Sequence, residues 1–248
     1  MTSASRRTYA PYEPIGVPKP FGTNLWIVDG PTIGYRLAGV TIPCPTRMTL
    51  ARLPDGSLWA HSPIAPTDGV RREIEALGPV GHVVVPNGLH TTHAGAWARA
   101  YPSAAVHAPA GLSRRTRDAL PAHASLDDEP PPAWGGAFAM VRVRGDGFVE
   151  VVFHHCASRT LIVTDLLQRF EADRMDGRLA RTLLRLGGAT GPGAAPSVEV
   201  RAMLLRHRRS FREALARMKA WRPERIVLAH GRCIAADGAS ELERAFPE

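Results

Sequence analysis

One short stretch constrains this fold more than any other: His82-Val83-Val84-Val85. It lacks the polar alternation of a half-exposed strand, so it reads as a strand buried on both faces. Before it, Thr67 to Leu77 carries a helical pattern, with Thr67 or Asp68 as N-cap and Gly78-Pro79 as the stop. After it come Asn87-Gly88-Leu89-His90-Thr91-Thr92-His93, a helix to about Tyr101, and a strand at Ala105–Ala108. Helix, buried strand, helix and strand in succession are the signature of an α/β layer.

Upstream, Asn24–Val28, Tyr35–Ile42 and Arg47–Leu53 read as strands bounded by Gly or Pro. The turn Pro54-Asp55-Gly56 then leads into a strand over Ser57–Ile64. Downstream, Phe138–Val143 and Phe148–His154 read as strands joined by Gly145-Asp146-Gly147. Thr160–Thr164 and Arg225–Ala229 are buried strands, each followed by an ionisable residue. Apolar positions from Val198 to Trp221 recur at helical spacing and predict one long amphipathic helix. Two loops stand out: Pro-rich Asp127 to Trp134, which could serve as a lid, and the Gly/Ala/Pro stretch Gly187 to Pro196, expected to be flexible.

A chain of 248 residues is at the upper end of what one core supports. One domain over 1–248 is expected, with residues 1–11 as a disordered tail. The formal charge of +8 invites a nucleic-acid partner. Against that, Lys occurs only at 19 and 219, and Arg is scattered along helices without interleaved aromatics. Arg114–Arg117 and Arg206–Arg212 read as solvated helix faces, so a nucleic-acid partner is disfavoured. No apolar run reaches the roughly eighteen residues a membrane span needs, and Met1–Tyr9 precedes no apolar signal core. No membrane association and a cytoplasmic location are therefore expected. The cysteines, Cys44, Cys156 and Cys233, are odd in number and lack a CxxC, which favours reduced thiols over disulfides or a thiolate zinc site.

Loops at the carboxyl ends of strands converge on one edge of an α/β sheet, and ligands gather there. The strand His82–Val85 leads to His90 and His93, Thr160–Thr164 to Asp165, and Arg225–Ala229 to His230. A fourth, Phe148–Phe153, delivers His154 and His155. His90 and His93 are spaced one helical turn apart, so both can face one point. Imidazoles with a carboxylate form a typical catalytic zinc shell. Cys156 beside His155, and Cys233 three residues after His230, are weaker candidates for a nucleophile.

The pattern resembles the metallo-β-lactamase superfamily, whose signature is His-x-His-x-Asp-His after a buried strand. The resemblance is carried by Gly56 to Pro63, by Pro86-Asn87 with His90 and His93, by Ser158 to Leu166, and by Ala229-His230-Gly231. It extends from about Tyr12 to Phe246 and is closest to an uncharacterised branch. It implies a four-layer αββα sandwich with mixed sheets and a metal site drawn from His90, His93, His155, Asp165 and His230, with His154 as fallback for His155. The first and Asp positions of the signature fall on Gly88 and Thr92. The resemblance therefore implies one ion rather than two: zinc, with iron or manganese as alternatives. The implied function is a metal-dependent hydrolase with a reduced, mononuclear site, acting on a small-molecule ester, amide, thioester or phosphodiester. The rival is a catalytically inactive ligand- or partner-binding protein on the same scaffold.

Overall fold

Near-continuous burial over Arg47–Ala51 and Leu58–His61 builds a sheet with two apolar faces, and each face is covered by a different partner. The structure, a computed structural model, describes residues 9–37 and 39–247. The strands in chain order are β1 (Pro18–Gly22), β2 (Leu25–Asp29), β3 (Ile33–Leu37), β4 (Val40–Cys44), β5 (Arg47–Arg52) and β6 (Leu58–His61). Helix α1 (Asp68–Glu75), β7 (Val80–Val84), α2 (Ala94–Ala100), β8 (Ala105–Pro109), α3 (Arg114–Asp118) and β9 (Ala124–Leu126) follow. Then come β10 (Phe138–Gly145), β11 (Phe148–His155), β12 (Thr160–Val163), α4 (Arg178–Leu186), α5 (Val198–Leu204), α6 (Arg208–Ala220), β13 (Arg225–Leu228) and α7 (Gly238–Ala245).

One sheet has seven strands in the order β1-β2-β5-β6-β7-β8-β9, antiparallel up to β6 and parallel beyond it. The other has the order β10-β11-β12-β13, with only the β12–β13 pair parallel. Between the sheets lie Leu25, Trp59, Val84, Trp134, Phe138, Val151, Phe153 and Ile162. The outer face of the seven-stranded sheet packs Met48, Leu50 and Val83 against Val70 and Ile74 of α1 and Trp97 of α2. The outer face of the smaller sheet packs Val152, Leu161 and Leu228 against Leu204 of α5, Met218 of α6 and Leu242 of α7. Helix, sheet, sheet and helix make a four-layer αββα sandwich. Strand pleating divides the work between faces, as in β11, where Val151 and Phe153 point inward and Val152 outward.

Several elements differ from the sequence reading. Tyr35–Ile42 is a hairpin rather than one strand, because Gly39 at φ +78 turns β3 back onto β4. The long helix expected from Val198 is divided into α5 and α6 by a 3₁₀ turn at Leu205–His207. The segment after Asp127 is no lid, since Trp134 is fully buried between the sheets. Gly187 to Pro196 is tied down by paired backbone bonds between Gln168 and Ala195 and by Phe170 N–H to Ala189 O. Of the expected tail over 1–11, residues 1–8 lie outside the described residues, whereas Tyr9 is buried against Phe170 and Met175. No helix among the described residues is long and apolar enough to cross a membrane.

The sandwich also buries imidazoles. His61 stacks on Trp59 with ring centroids 5.1 Å apart, and burial pushes its pKa well down. Burial likewise lowers His107 and His155 to about 4. In the unfolded chain each would titrate near 6.5, so as pH falls the unfolded state takes up protons before the native one. Native stability is therefore unaffected by these groups above pH about 7 and declines between about 6.5 and 4. Urea midpoints measured across this range should fall, and a His107→Gln, His155→Gln double variant should show a shallower decline.

Candidate metal site

Three strand ends meet at one edge of the sandwich. The loop after β7 carries Asn87 and His90, the residues after β12 carry Asp165, and the turn after β13 carries His230. The His90 Nε2 lies 3.3 Å from Asp165 Oδ2, and the His230 Nε2 lies 3.4 Å from Asp165 Oδ1. The two Nε2 atoms are 3.3 Å apart. Asp165 and His230 are buried, and His90 is largely so.

The other ring nitrogens fix how these imidazoles face inward. His230 Nδ1 lies 2.8 Å from Pro45 O, which can only accept, so Nδ1 carries a proton and donates it there. Cys44 Sγ stands 3.2 Å from the same nitrogen. Ser62 Oγ donates to Arg47 O at 3.2 Å and accepts from His90 Nδ1 at 2.6 Å. In their neutral forms both rings then present Nε2 lone pairs toward the Asp165 carboxylate. Hydrogen bonding of the far nitrogen is the usual way a protein orients an imidazole ligand. Three acceptors in mutual contact require a positive charge, from a proton or from a cation. Burial opposes that charge on His230, but Cys44 and Asp165 overcome it and hold the imidazolium well above its ordinary range. Burial also opposes the Asp165 charge, yet His90 and His230 hold its carboxyl well below the usual value. The donor set of two imidazoles and one carboxylate fits a divalent cation such as zinc.

Two buried polar residues absent from the sequence reading support this edge. Glu150 of β11 is fully buried and accepts the backbone N–H groups of Thr164, Asp165 and Leu166 at 2.8–3.0 Å. Asn87 Nδ2 donates to Asp165 Oδ2 at 2.6 Å, to Thr164 Oγ1 at 3.0 Å and to Glu150 Oε2 at 3.3 Å. Burial, and then the charge of Asp165, push the Glu150 carboxyl up, while its N–H donors work the other way. Arg47 is the second support. It pairs with Asp29, where Nη2 to Oδ1 is 2.6 Å, and donates Nη1 to Leu228 O and, at 2.7 Å, to Gly231 O. A Glu within the apolar run Phe148–Phe153 and an Arg opening the apolar β5 were the signals available in the sequence.

The structure does not bring His93 or His155 into the triad. His93 precedes α2 and lines the cleft above the triad, with burial lowering its pKa. His155 lies at the opposite end of the sheet. β11 runs antiparallel to β12, with His155 opposite Thr160, so the end of β11 that reaches Asp165 is the Glu150 end. His155 Nδ1 instead bonds Ser158 Oγ at 2.8 Å. The fallback, His154, stacks on Trp221 at 5.5 Å.

The triad forms part of the floor of a cleft of about 520 Å³. One wall is the β3–β4 hairpin, with Ile33 and Tyr35; the other is α4 and α5, with Leu186 and Val198.

Residues 29–113 match a family described as a domain of unknown function (DUF4336). That segment includes Asp29, Arg47 and His90 but stops before Asp165 and His230. No protein of curated function matches the chain by sequence. Among solved structures, DIM-1 metallo-β-lactamase exposed to ceftazidime is 15% identical, with a TM-score of 0.61 and 95% of this chain and 94% of that one covered. A β-lactamase domain protein from Burkholderia ambifaria is 12% identical, with a TM-score of 0.60 and coverage of 98% and 77%. The FIM-1 enzyme of Pseudomonas aeruginosa, in a mono-zinc form, is 12% identical, with a TM-score of 0.51 and coverage of 98% and 100%.

The chain has the metallo-β-lactamase fold.

At such identities the likeness shows the frame alone. Within that fold, the edge carrying the triad is closed by one glycine. Gly231 has φ +100, and a Cβ there would stand 1.8 Å from Arg169 O. Around it, Arg169 N–H donates to His230 O at 3.1 Å and Arg232 N–H to Arg169 O at 3.2 Å. Gly231→Ala must therefore push the His230 turn away from the Asp165 loop, at a cost of about 2–4 kcal/mol. Thermal melts should show Tm lowered by roughly 5–15 °C.

Proposed function

We propose that this protein is a metal-dependent hydrolase holding one divalent cation through His90, Asp165 and His230. The observation that carries the reading is the convergence of two oriented Nε2 atoms and a carboxylate, all within 4.8 Å of one another. Three protein ligands and an open fourth side are the arrangement of catalytic rather than structural zinc. A cation bound there supplies Lewis acidity and brings the pKa of a water toward about 7. The donor set favours zinc, with iron or manganese as alternatives. One structure matched in fold is a mono-zinc form, which adds support for a single ion.

The chain's own groups divide the remaining tasks. Asn87 and Gln168 hold the two Asp165 oxygens, so the carboxylate keeps one orientation. His93 lines the same cleft, where burial lowers its pKa. Thr92, also in the lining, offers a hydroxyl without charge. Gly88 supplies no ligand. Both residues support a mononuclear site.

Elemental analysis of untagged protein incubated with zinc should find close to one ion per chain. A His90→Ala, His230→Ala double variant should lose it, whereas His155→Ala should retain it. Folded wild-type protein that stays metal-free overturns the reading. A zinc-loaded chain without turnover on any ester, amide, thioester or phosphodiester favours the inactive binding scaffold instead.

A further inference from the structure

The cleft above the triad differs in composition from the rest of the molecule. The chain carries 31 Lys and Arg and a formal charge of +8, yet among the described residues no Lys or Arg lines this cleft. Among the described residues its acidic lining is Asp165 and Glu199. The remainder is mostly apolar and includes side chains that are unusually open to solvent: Ile33 is 47% exposed, Leu186 75% and Val198 53%. Contiguous apolar surface of this kind marks a binding site when it surrounds convergent polar groups. Its volume, about 520 Å³, is within the roughly 300–1,000 Å³ of small-molecule pockets.

Away from the triad, where the hydrolase reading places a divalent cation, a charged group on the bound molecule would meet apolar side chains and Glu199, with no Lys or Arg among the described residues to pair with it. Buried or half-buried charge without a partner is strongly disfavoured. From these observations we infer that the substrate is an uncharged carboxylic ester with a long apolar acyl tail, the tail lying between the β3–β4 hairpin and helices α4 and α5. The inference rests on the hydrolase reading above. In the reaction the water oxygen bonds to the acyl carbon, and the acyl C–O bond breaks with its electron pair on the alcohol oxygen. One water proton goes to that oxygen, and the other leaves to solvent as the acid ionises.

The test uses the full-length, zinc-loaded protein and the p-nitrophenyl esters of acetic, butyric, hexanoic and octanoic acids. Expected is a kcat/KM that rises about fourfold per added methylene, until the tail fills the cleft. An octanoate analogue ending in a second carboxylate should fall back toward the acetate value. A Leu186→Ser, Val198→Ser variant, changed at exposed positions that leave the core intact, should lower the octanoate-to-acetate ratio at least tenfold. Turnover that is indifferent to chain length, or faster on the charged analogue, overturns the substrate class while leaving the hydrolase standing. No ester turnover, with the neutral dye N-phenyl-1-naphthylamine bound and displaced by octanol, overturns the ester substrate and retains the apolar ligand class; the hydrolase falls only if amides, thioesters and phosphodiesters are inert as well. Neither turnover nor dye binding overturns both. A wild-type dimer in sedimentation that the double serine variant dissolves also overturns the inference, because the exposed wall then belongs to a second copy.

Discussion

Glu150 is a carboxyl group with no salt-bridge partner among the described residues, sealed inside the molecule, and the geometry of the candidate site depends on it. It gathers three consecutive N–H groups from the loop after β12 and one from Asn87, which stands on the other sheet's loop. Hydrogen bonds to a buried carboxylate are worth more than neutral ones, and losing such a partner strands every donor it served. The loop bearing Asp165 therefore cannot move independently of β11, and Asn87 links the same group to His90, whose N–H it accepts at 3.1 Å. Arg47 performs the corresponding task for His230. Its pairing with Asp29 is buried, and its remaining donors reach backbone carbonyls on either side of His230. Buried ion pairs of this kind add little net stability but fix geometry once formed.

The two supports, together with the backbone bridge between Asn87 and Glu150, explain how two separate sheets can present one set of ligands. Ser62 and Pro45 belong to the seven-stranded side, yet they orient His90 and His230, and the second of these arises from the smaller sheet. Preorganisation of this type favours a site that exists before any ion arrives.

Much of this was legible in the sequence, and the failures have a common cause. His90, Asp165 and His230 each follow a short apolar strand, and the parallel pairs β6–β7 and β12–β13 send those ends to one edge. His155 also follows an apolar strand, but β11 runs the other way, and strand direction is a property of pairing that no local pattern records. His93 was placed by helical spacing, whereas helix α2 begins only at Ala94 and residues 90–93 form turns. The hairpin at β3–β4 was hidden because both arms are apolar, and only Gly39 marks the reversal. Glu150 and Arg47 were overlooked because a lone charge in a strand reads as a solvated side chain until the partner groups, dozens of residues away, are in view.

The β3–β4 hairpin has one property that joins two otherwise separate ideas. Its last residue is Cys44, and Pro45 follows directly, so the segment that walls the apolar cleft also supplies both contacts to His230 Nδ1. Gripping a tail and aiming a ligand are thus done by one continuous piece of chain. Whatever free energy couples the two must act in both directions by the same factor. A molecule that draws the hairpin inward sharpens the aim of His230, and an ion that fixes His230 stiffens the wall that receives the molecule.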